Sequence, residues 1–509
     1  MIPGDKLHKL IKSLTPPEKR YFKLSAAKQG DAADKYYLQL FDAIDKLHEY
    51  DEELLKKKLK GSIHSKNLAY QKHYLFEMIM QALKNFEKSK SPLLQVLDLL
   101  REEEIFKDRG LVDLQERNIL KAKQVCYEQE QYFILLWVLK VERVFYLELS
   151  GKDPEGVLNR VFKEEKEAIE ILEKDIQVVR LSNTLHVQYL INPLFNDKDG
   201  FEKLKKIEEE LDNIPYESLK TFTAKSNWYL AQTLRYRFYN KLAEDRHYQR
   251  ERLKVYEEYK HIVPITEYIK AVTNYLGSCH RSGDYKEFND FFIKLNSISP
   301  ENAKQKEMLF STIGLYKLLY ALNMNQLEKM DAITAEIETG IAENKRLMKA
   351  NRIIAMYYSL SLLCFLNEKF NGCLDYCSRI LDMKSDVRFD LQNGVWLIQI
   401  ICHYELGNTI LLESLLRSAN RFLHKNNIHE EFDRILISGI RNLMNAPVNE
   451  RGDMLKNLLE TIDTLRIQNL NYKFVIMEET LMWLNARVKN IPIAEESRQQ
   501  TLLRESKNN

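Results

Sequence analysis

The sequence predicts an all-α fold of stacked helical hairpins, and three observations carry that expectation. Turn-forming residues are scarce, with 16 Gly and 11 Pro in 509 residues, against averages of about 7% and 5%. Apolar residues recur at helical spacing, and no stretch keeps the strict alternation of a half-buried strand. A helix–turn–helix pattern also returns along the second half of the chain at nearly constant intervals. A chain of 509 residues is longer than the ~250–300 at which one core stops growing. It must form several domains or an elongated stack.

The elements can be justified in order. Leu7, Leu10, Ile11 and Leu14 form the i, i+3, i+4, i+7 stripe of an amphipathic helix. Thr15-Pro16-Pro17-Glu18 then starts a second helix, with threonine as cap, proline in the first turn and glutamate closing a capping box. After a polar break at Gln29–Ala33, a helix is expected over Tyr36–Leu47, a short one over Glu52–Leu59 and a long one over Ser65–Phe86, with Lys60–His64 as connector. From Ser91 helix follows helix. Breaks are expected at Asp108–Gly110, Ser150–Pro154, Asn192-Pro193, Asn196–Gly200, Asn213–Pro215, Ser282–Asp284, Ser299-Pro300, Asn445–Pro447 and Asn490–Pro492. The polar residues Glu496–Asn509 are expected to fray. The organisation read from these signals is a basic helical region over 1–90, hairpins without a clear signature over 91–265, repeats over 266–425, and capping helices with a frayed tail over 426–509.

The repeats are read from four turns. In Val272–Pro300, Tyr275, Leu276 and Cys279 precede Ser282-Gly283-Asp284-Tyr285, and Phe288, Phe292 and Leu295 follow before Pro300. In Ile354–Ser385, Tyr357, Leu360, Ser361 and Cys364 lead to Phe370, then Cys373, Cys377 and Ile380. A further copy runs from Trp396 through Tyr404 and Leu406-Gly407-Asn408 to Leu412, Leu416 and Ala419, and a weaker one turns at Leu322–Leu327, with Met330 and Ile337 behind it. The residues after the turns, Tyr285, Leu327, Phe370 and Thr409, are spaced by 42, 43 and 39. This pattern resembles the tetratricopeptide repeat in an elongated form, whose usual period is about 34. The resemblance implies a right-handed α-solenoid of stacked hairpins, with a smaller N-terminal helical region beside it. It also implies a concave groove lined by first helices, here with Lys270, His280, Arg281, Tyr358 and Tyr404. Cations mixed with tyrosines suit an acidic or extended peptide.

Composition narrows the function further. The formal charge is +2, so no global field points to nucleic acid or membrane. Residues 1–90 alone hold 18 Lys and Arg against 12 Asp and Glu. The first residues contain no continuous apolar run of a secretion signal. The richest apolar stretch, Tyr132–Leu139, falls far short of the ~18 residues that span a bilayer, so no membrane insertion is expected. Six cysteines without framework spacing suggest free thiols in a reducing compartment, hence the cytoplasm.

Candidate chemistry is thin. Cys373 and Cys377 lie one helical turn apart, with Cys364 and Cys402 on neighbouring helices. They fall on inward positions of the repeat, where small apolar groups pack, and no metal-ligand spacing accompanies them. His429-Glu430-Glu431 lacks the second histidine of a zincin helix. Asp197-Lys198-Asp199-Gly200 has Phe195 and Lys206 where a calcium loop needs its first and last ligands. Phosphate-binding glycine loops and nucleophile elbows are absent from the sequence. Lys56, Lys57, Lys58, Lys60, Lys66 and Lys72 form a basic stripe on a short-helix, turn, long-helix order that a groove reader could use. Phe76, Ile79 and Leu83 beside them read as ordinary core, and Glu49, Glu52, Glu53 and Glu77 dilute the charge. The expectation is a non-enzymatic scaffold that binds a protein or peptide, with no cofactor and no metal. The alternative is a nucleic-acid-associated regulator that uses residues 1–90.

Overall fold

The computed structural model describes residues 4–28, 32–59, 68–87, 91–149, 153–191, 198–383, 388–425, 431–468 and 476–508. Among them there are twenty-four α-helices and no strand. The chain divides into two compact units, one of residues up to Phe238 with Tyr248–Pro264, the other of Tyr239–His247 with Ile265 onward.

The first unit opens with α1 (Gly4–Ser13), α2 (Pro16–Lys28), α3 (Ala32–Asp45), α4 (Glu52–Lys58) and α5 (Leu68–Glu87) around their own core. The capping box at the start of α2 forms as its sequence requires. The Thr15 N–H donates to Glu18 Oε2 at 2.6 Å, and the Glu18 N–H donates to Thr15 Oγ1 at 3.4 Å. The connector Lys60–His64 lies outside the described residues, as does Asn192-Pro193. Next come α6 (Pro92–Asp108), α7 (Val112–Glu128) and α8 (Tyr132–Glu148), then α9 (Pro154–Ile191), a helix of 38 residues. Helices α10 (Lys198–Asp212) and α11 (Phe222–Phe238) follow, and α12 (Leu242–Glu258) is divided between the units. Each of α6 to α9 packs against the next, and α9 also packs against α10 and α11.

The second unit continues with α13 (Ile265–Ser282), α14 (Phe288–Asn296), α15 (Ala303–Asn323), α16 (Met330–Asn344), α17 (Ala350–Leu366) and α18 (Phe370–Leu381). It ends with α19 (Phe389–Glu405), α20 (Thr409–Lys425), α21 (Glu431–Asn445), α22 (Arg451–Gln468), α23 (Met477–Lys489) and α24 (Ile493–Asn508). Consecutive helices pair as hairpins, and the first helices α13, α15, α17, α19 and α21 also pack each on the next. One core runs through them from Leu318 to Ile493.

The turns share one backbone device. A residue with positive φ ends the first helix at Gly110, Glu130, Asn240, Gly283, Asn325, Glu368, Gly407 and Asn490. At seven of these the next N–H reaches back five residues to a carbonyl of the last helical turn. Examples are Leu111 to Phe106 at 2.9 Å, Asp284 to Cys279 at 3.1 Å and Asn408 to His403 at 3.0 Å. This closes carbonyls that the helix end leaves open and reverses the chain within a few residues. Glycine adopts that conformation freely, whereas another residue gives up ~1–2 kcal/mol for it. Glu130, Asn325 and Glu368 are therefore turns that carry no glycine signal.

One expectation changes. The tail expected to fray is helical to Asn508, and Glu496 and Ser497 are buried in it. Lys489 Nζ donates to Glu496 Oε2 at 2.7 Å, and Ile493 packs fully buried into the core, which anchors α24. The terminal hairpin also folds back on earlier first helices. Trp483, fully buried, donates Nε1–H to Glu405 Oε1 at 2.5 Å. Arg487 grips Glu405 through two bonds of 2.9 Å and reaches Glu368 at 2.7 Å. Helix α24 meets α17, and from Ile353 to Leu366 every side chain of α17 except Tyr357 is buried. Trp483→Ala should lower the stability of the second unit by about 3–5 kcal/mol, as for other buried aromatic truncations. Urea unfolding followed at Trp396 would measure it, and an unchanged midpoint would contradict this packing.

Candidate functional site

The five residues assigned to a groove occupy different surroundings. Lys270 is exposed and pairs with Glu267 of its own helix at 2.6 Å. His280 Nδ1 lies 2.9 Å from Tyr285 Oη and 3.3 Å from Asn323 Nδ2. Arg281 donates to Asp245 Oδ2 at 2.9 Å and to Ser278 Oγ at 2.9 Å, and the Asp245 carboxylate is buried. Tyr358 is only 8% exposed and belongs to the core. Tyr404 is half-buried, edge-on to Trp483 with ring centroids 6.0 Å apart. The structure thus gives Arg281 an internal partner and sets both tyrosines among packed side chains.

The basic stripe is interrupted by acids. Lys72 is buried and donates to Glu52 at 2.7 Å and to Tyr50 at 3.0 Å. Its hydrogen bond, with that of Tyr50, holds the Glu52 carboxyl down to about 2. Lys56 pairs with Glu53 at 2.8 Å and Glu52 at 3.5 Å. Lys57 and Lys58 are exposed, and Lys60 and Lys66 lie outside the described residues.

All six cysteines are buried and unpaired as disulfides. Burial pushes the thiol of Cys126 up to about 12 and those of Cys279 and Cys364 up to about 11. Hydrogen bonds with Cys377 and Cys402, then burial, push Cys373 well above the usual thiol range too. Such thiols are poor nucleophiles and poor ligands at neutral pH. Among the described residues no group of three or more His, Cys, Asp or Glu is placed to hold a metal ion, and no helix is long and apolar enough to cross a membrane. Asp197 and His429 lie outside the described residues. Two carboxyls raised by burial, Glu130 and Asp175, serve the entry to α11. Glu130 Oε2 accepts the Phe222 N–H at 2.7 Å, and Asp175 Oδ1 accepts the Thr221 hydroxyl at 2.5 Å.

The feature that stands out lies on α8 and α9. The inward side of α8 carries Leu135, Val138, Leu139, Glu142 and Phe145, all buried. Its outward side carries Phe133, 82% exposed, and Trp137, 53% exposed, with Val144 and Leu147, and the exposed Lys140 stands among them. On α9 a buried row of Val161, Ala168, Val178, Leu181 and Leu185 faces the core, yet Phe162, Ile169 and Ile176 stand 45–66% exposed in a row of their own. These three are seven residues apart, so they share one face of the helix. Clustered exposed large apolar residues mark an interaction surface more often than scattered single ones do, and here Lys140, Lys166 and Glu173 are interspersed with them.

An ion network beneath fixes the two helices. Glu142 is fully buried and accepts from Lys123 of α7 at 2.8 Å and from Arg160 of α9 at 2.9 Å. Lys123 also reaches Glu164 at 2.7 Å, and the Tyr127 hydroxyl donates to Glu164 at 2.9 Å. Arg143 of α8 lies 3.4 Å from Glu165 and 5.3 Å above the Phe162 ring. The three helices are thereby locked in register beneath the outward face.

Sequence reasoning weighed Tyr132–Leu139 only for its length against a bilayer. The signal for the face was present in two forms. Helix α8 carries large apolar residues opposite its core row as well as in it, which a helix with one open side does not need. Helix α9 carries an apolar seven-residue row in addition to its core row. Compared with known protein families, curated proteins and solved structures, the chain matches none.

Glu142→Gln removes the charge that two cations share. It should destabilise the first unit by roughly 3 kcal/mol, the low end for breaking a buried pair. A urea midpoint equal to that of the unaltered chain would show that the network does not fix these helices.

Proposed function

We propose that this chain is a non-enzymatic protein-binding scaffold, a tetratricopeptide-like right-handed stack of hairpins whose α8–α9 face docks an apolar helical segment of a partner chain. The observation that carries the reading is the exposure of large apolar residues on two packed helices, Phe133 and Trp137 on α8 and Phe162, Ile169 and Ile176 on α9, held on a fixed framework. Large aromatics on a preorganised surface give binding energy with little ordering cost. A helix laid against two parallel ridges would meet them at helical spacing. The repeated hairpins, with first helices packed on first helices in the second unit, support the stacked architecture. The groove expected on those first helices is a weaker candidate, because α24 meets α17 and Arg281 is engaged by Asp245.

Site-specific photo-cross-linking tests the reading. A benzophenone side chain at position 133, in cells that make the protein, should yield a discrete covalent adduct joined to an apolar residue of a helix. The same probe at Ile410, 90% exposed in the second unit, should yield none. Equal adducts from both positions, or none from position 133, would contradict it.

A further inference from the structure

We infer that the occupant of this face is a second copy of the chain, with the two α9 helices packed antiparallel about a two-fold axis at Ile169. The inference rests on the docking-face reading and adds the identity of the partner. Its basis is the self-complementarity of α9. A two-fold interface needs one surface that fits itself, each residue meeting its counterpart across the axis. With Ile169 on the axis, Phe162 of one copy lies opposite Ile176 of the other, because both are seven residues from the centre. The apolar row is closed against itself, as in the seam of a helical pair.

Charge makes the same selection. Lys166 sits between Phe162 and Ile169 on the exposed side, and Glu173 sits between Ile169 and Ile176. In the antiparallel arrangement Lys166 comes within one residue of directly opposite Glu173 of the second copy, and the contact occurs twice by symmetry. A parallel arrangement would set lysine against lysine and glutamate against glutamate. The other charges nearby are already engaged: Arg143 with Glu165, Arg160 with Glu142, and Arg180 with Glu210. Lys166 and Glu170 are 4.0 Å apart in one helix with both side chains largely exposed, a contact weak enough to exchange. The outward side of α8 supplies further apolar surface on the same hairpin, bordering the seam where Arg143 lies above Phe162.

Sedimentation velocity of the full chain, from nanomolar to tens of micromolar, tests this directly. A monomer–dimer equilibrium is expected. Ile169→Glu places two carboxylates at the axis and should weaken it by at least about a hundredfold. Lys166→Glu should weaken it by roughly tenfold, and the double variant Lys166→Glu with Glu173→Lys should restore it to within about threefold of the unaltered chain. Restoration by the swap also rules out misfolding as the cause of the loss. A monomer at every concentration, or a dimer indifferent to Ile169→Glu, overturns the inference. If the chain is monomeric yet the benzophenone at position 133 still joins a different protein, the second copy is wrong and the docking face stands. If neither is seen, both readings fail.

Discussion

Everything in this architecture depends on how each helical hairpin is closed. A helix ends with carbonyls that have no partner within it, and a sharp reversal into a second helix would bury some of them. One residue in the left-handed region and one backbone bond across six residues satisfy them, and the device recurs at Gly110, Glu130, Gly283, Asn325, Glu368, Gly407 and Asn490. Because the closure is short, the two helices must pack at once, and each hairpin is left with an apolar edge that only a neighbour can cover. In the second unit those edges form one continuous core. The final hairpin covers the last edge and turns its Trp483 and Arg487 onto Glu405 and Glu368. Glu368 is itself a left-handed turn residue, so the closure of one hairpin is tied to the placement of another.

The first unit applies the same rule and leaves one exception. Between α7, α8 and α9 the apolar contact is crossed by an ion network centred on the buried Glu142, which Lys123 and Arg160 share. A buried charge shared by two cations is a poor way to gain stability compared with well-packed apolar groups, and its clearer use is to fix register. Register matters here because the opposite sides of α8 and α9 expose Phe133, Trp137, Phe162, Ile169 and Ile176 among the described residues. A surface that must meet a partner at helical spacing cannot tolerate a slip of one residue, since a slip would rotate the row of Phe162, Ile169 and Ile176 away from it. The rigid underside and the outer side with its exposed aromatics are therefore two parts of the docking surface proposed above.

The sequence made the helices legible and the surfaces much less so. Thr15 and Glu18 announce the start of α2, and Gly110, Gly283 and Gly407 announce turns, because capping and the left-handed conformation each require particular residue types. Glu130 and Glu368 adopt the same conformation without such a residue, and nothing local marks them. The inward placement of Cys373 and Cys377 followed from helical spacing, and both are fully buried. The fate of Tyr358 and Tyr404 did not follow from spacing, since it depends on where α23 and α24 return, a tertiary contact that no short-range pattern encodes. Lys72 shows the same limit: its neighbours in sequence suggest an exposed cation, whereas Glu52 and Tyr50 draw it into the interior. The outward row of α9 was readable as a seven-residue period, but only once the core row beside it was known.

The claim that a second copy covers the α9 face is tested most directly by hydroxyl-radical footprinting of the intact chain at rising concentration. Oxidation at Phe162, Ile169 and Ile176 should fall as concentration rises, while Tyr70, which is 61% exposed in the N-terminal helices, stays unchanged. Equal oxidation of these three at every concentration would contradict the pairing of two copies.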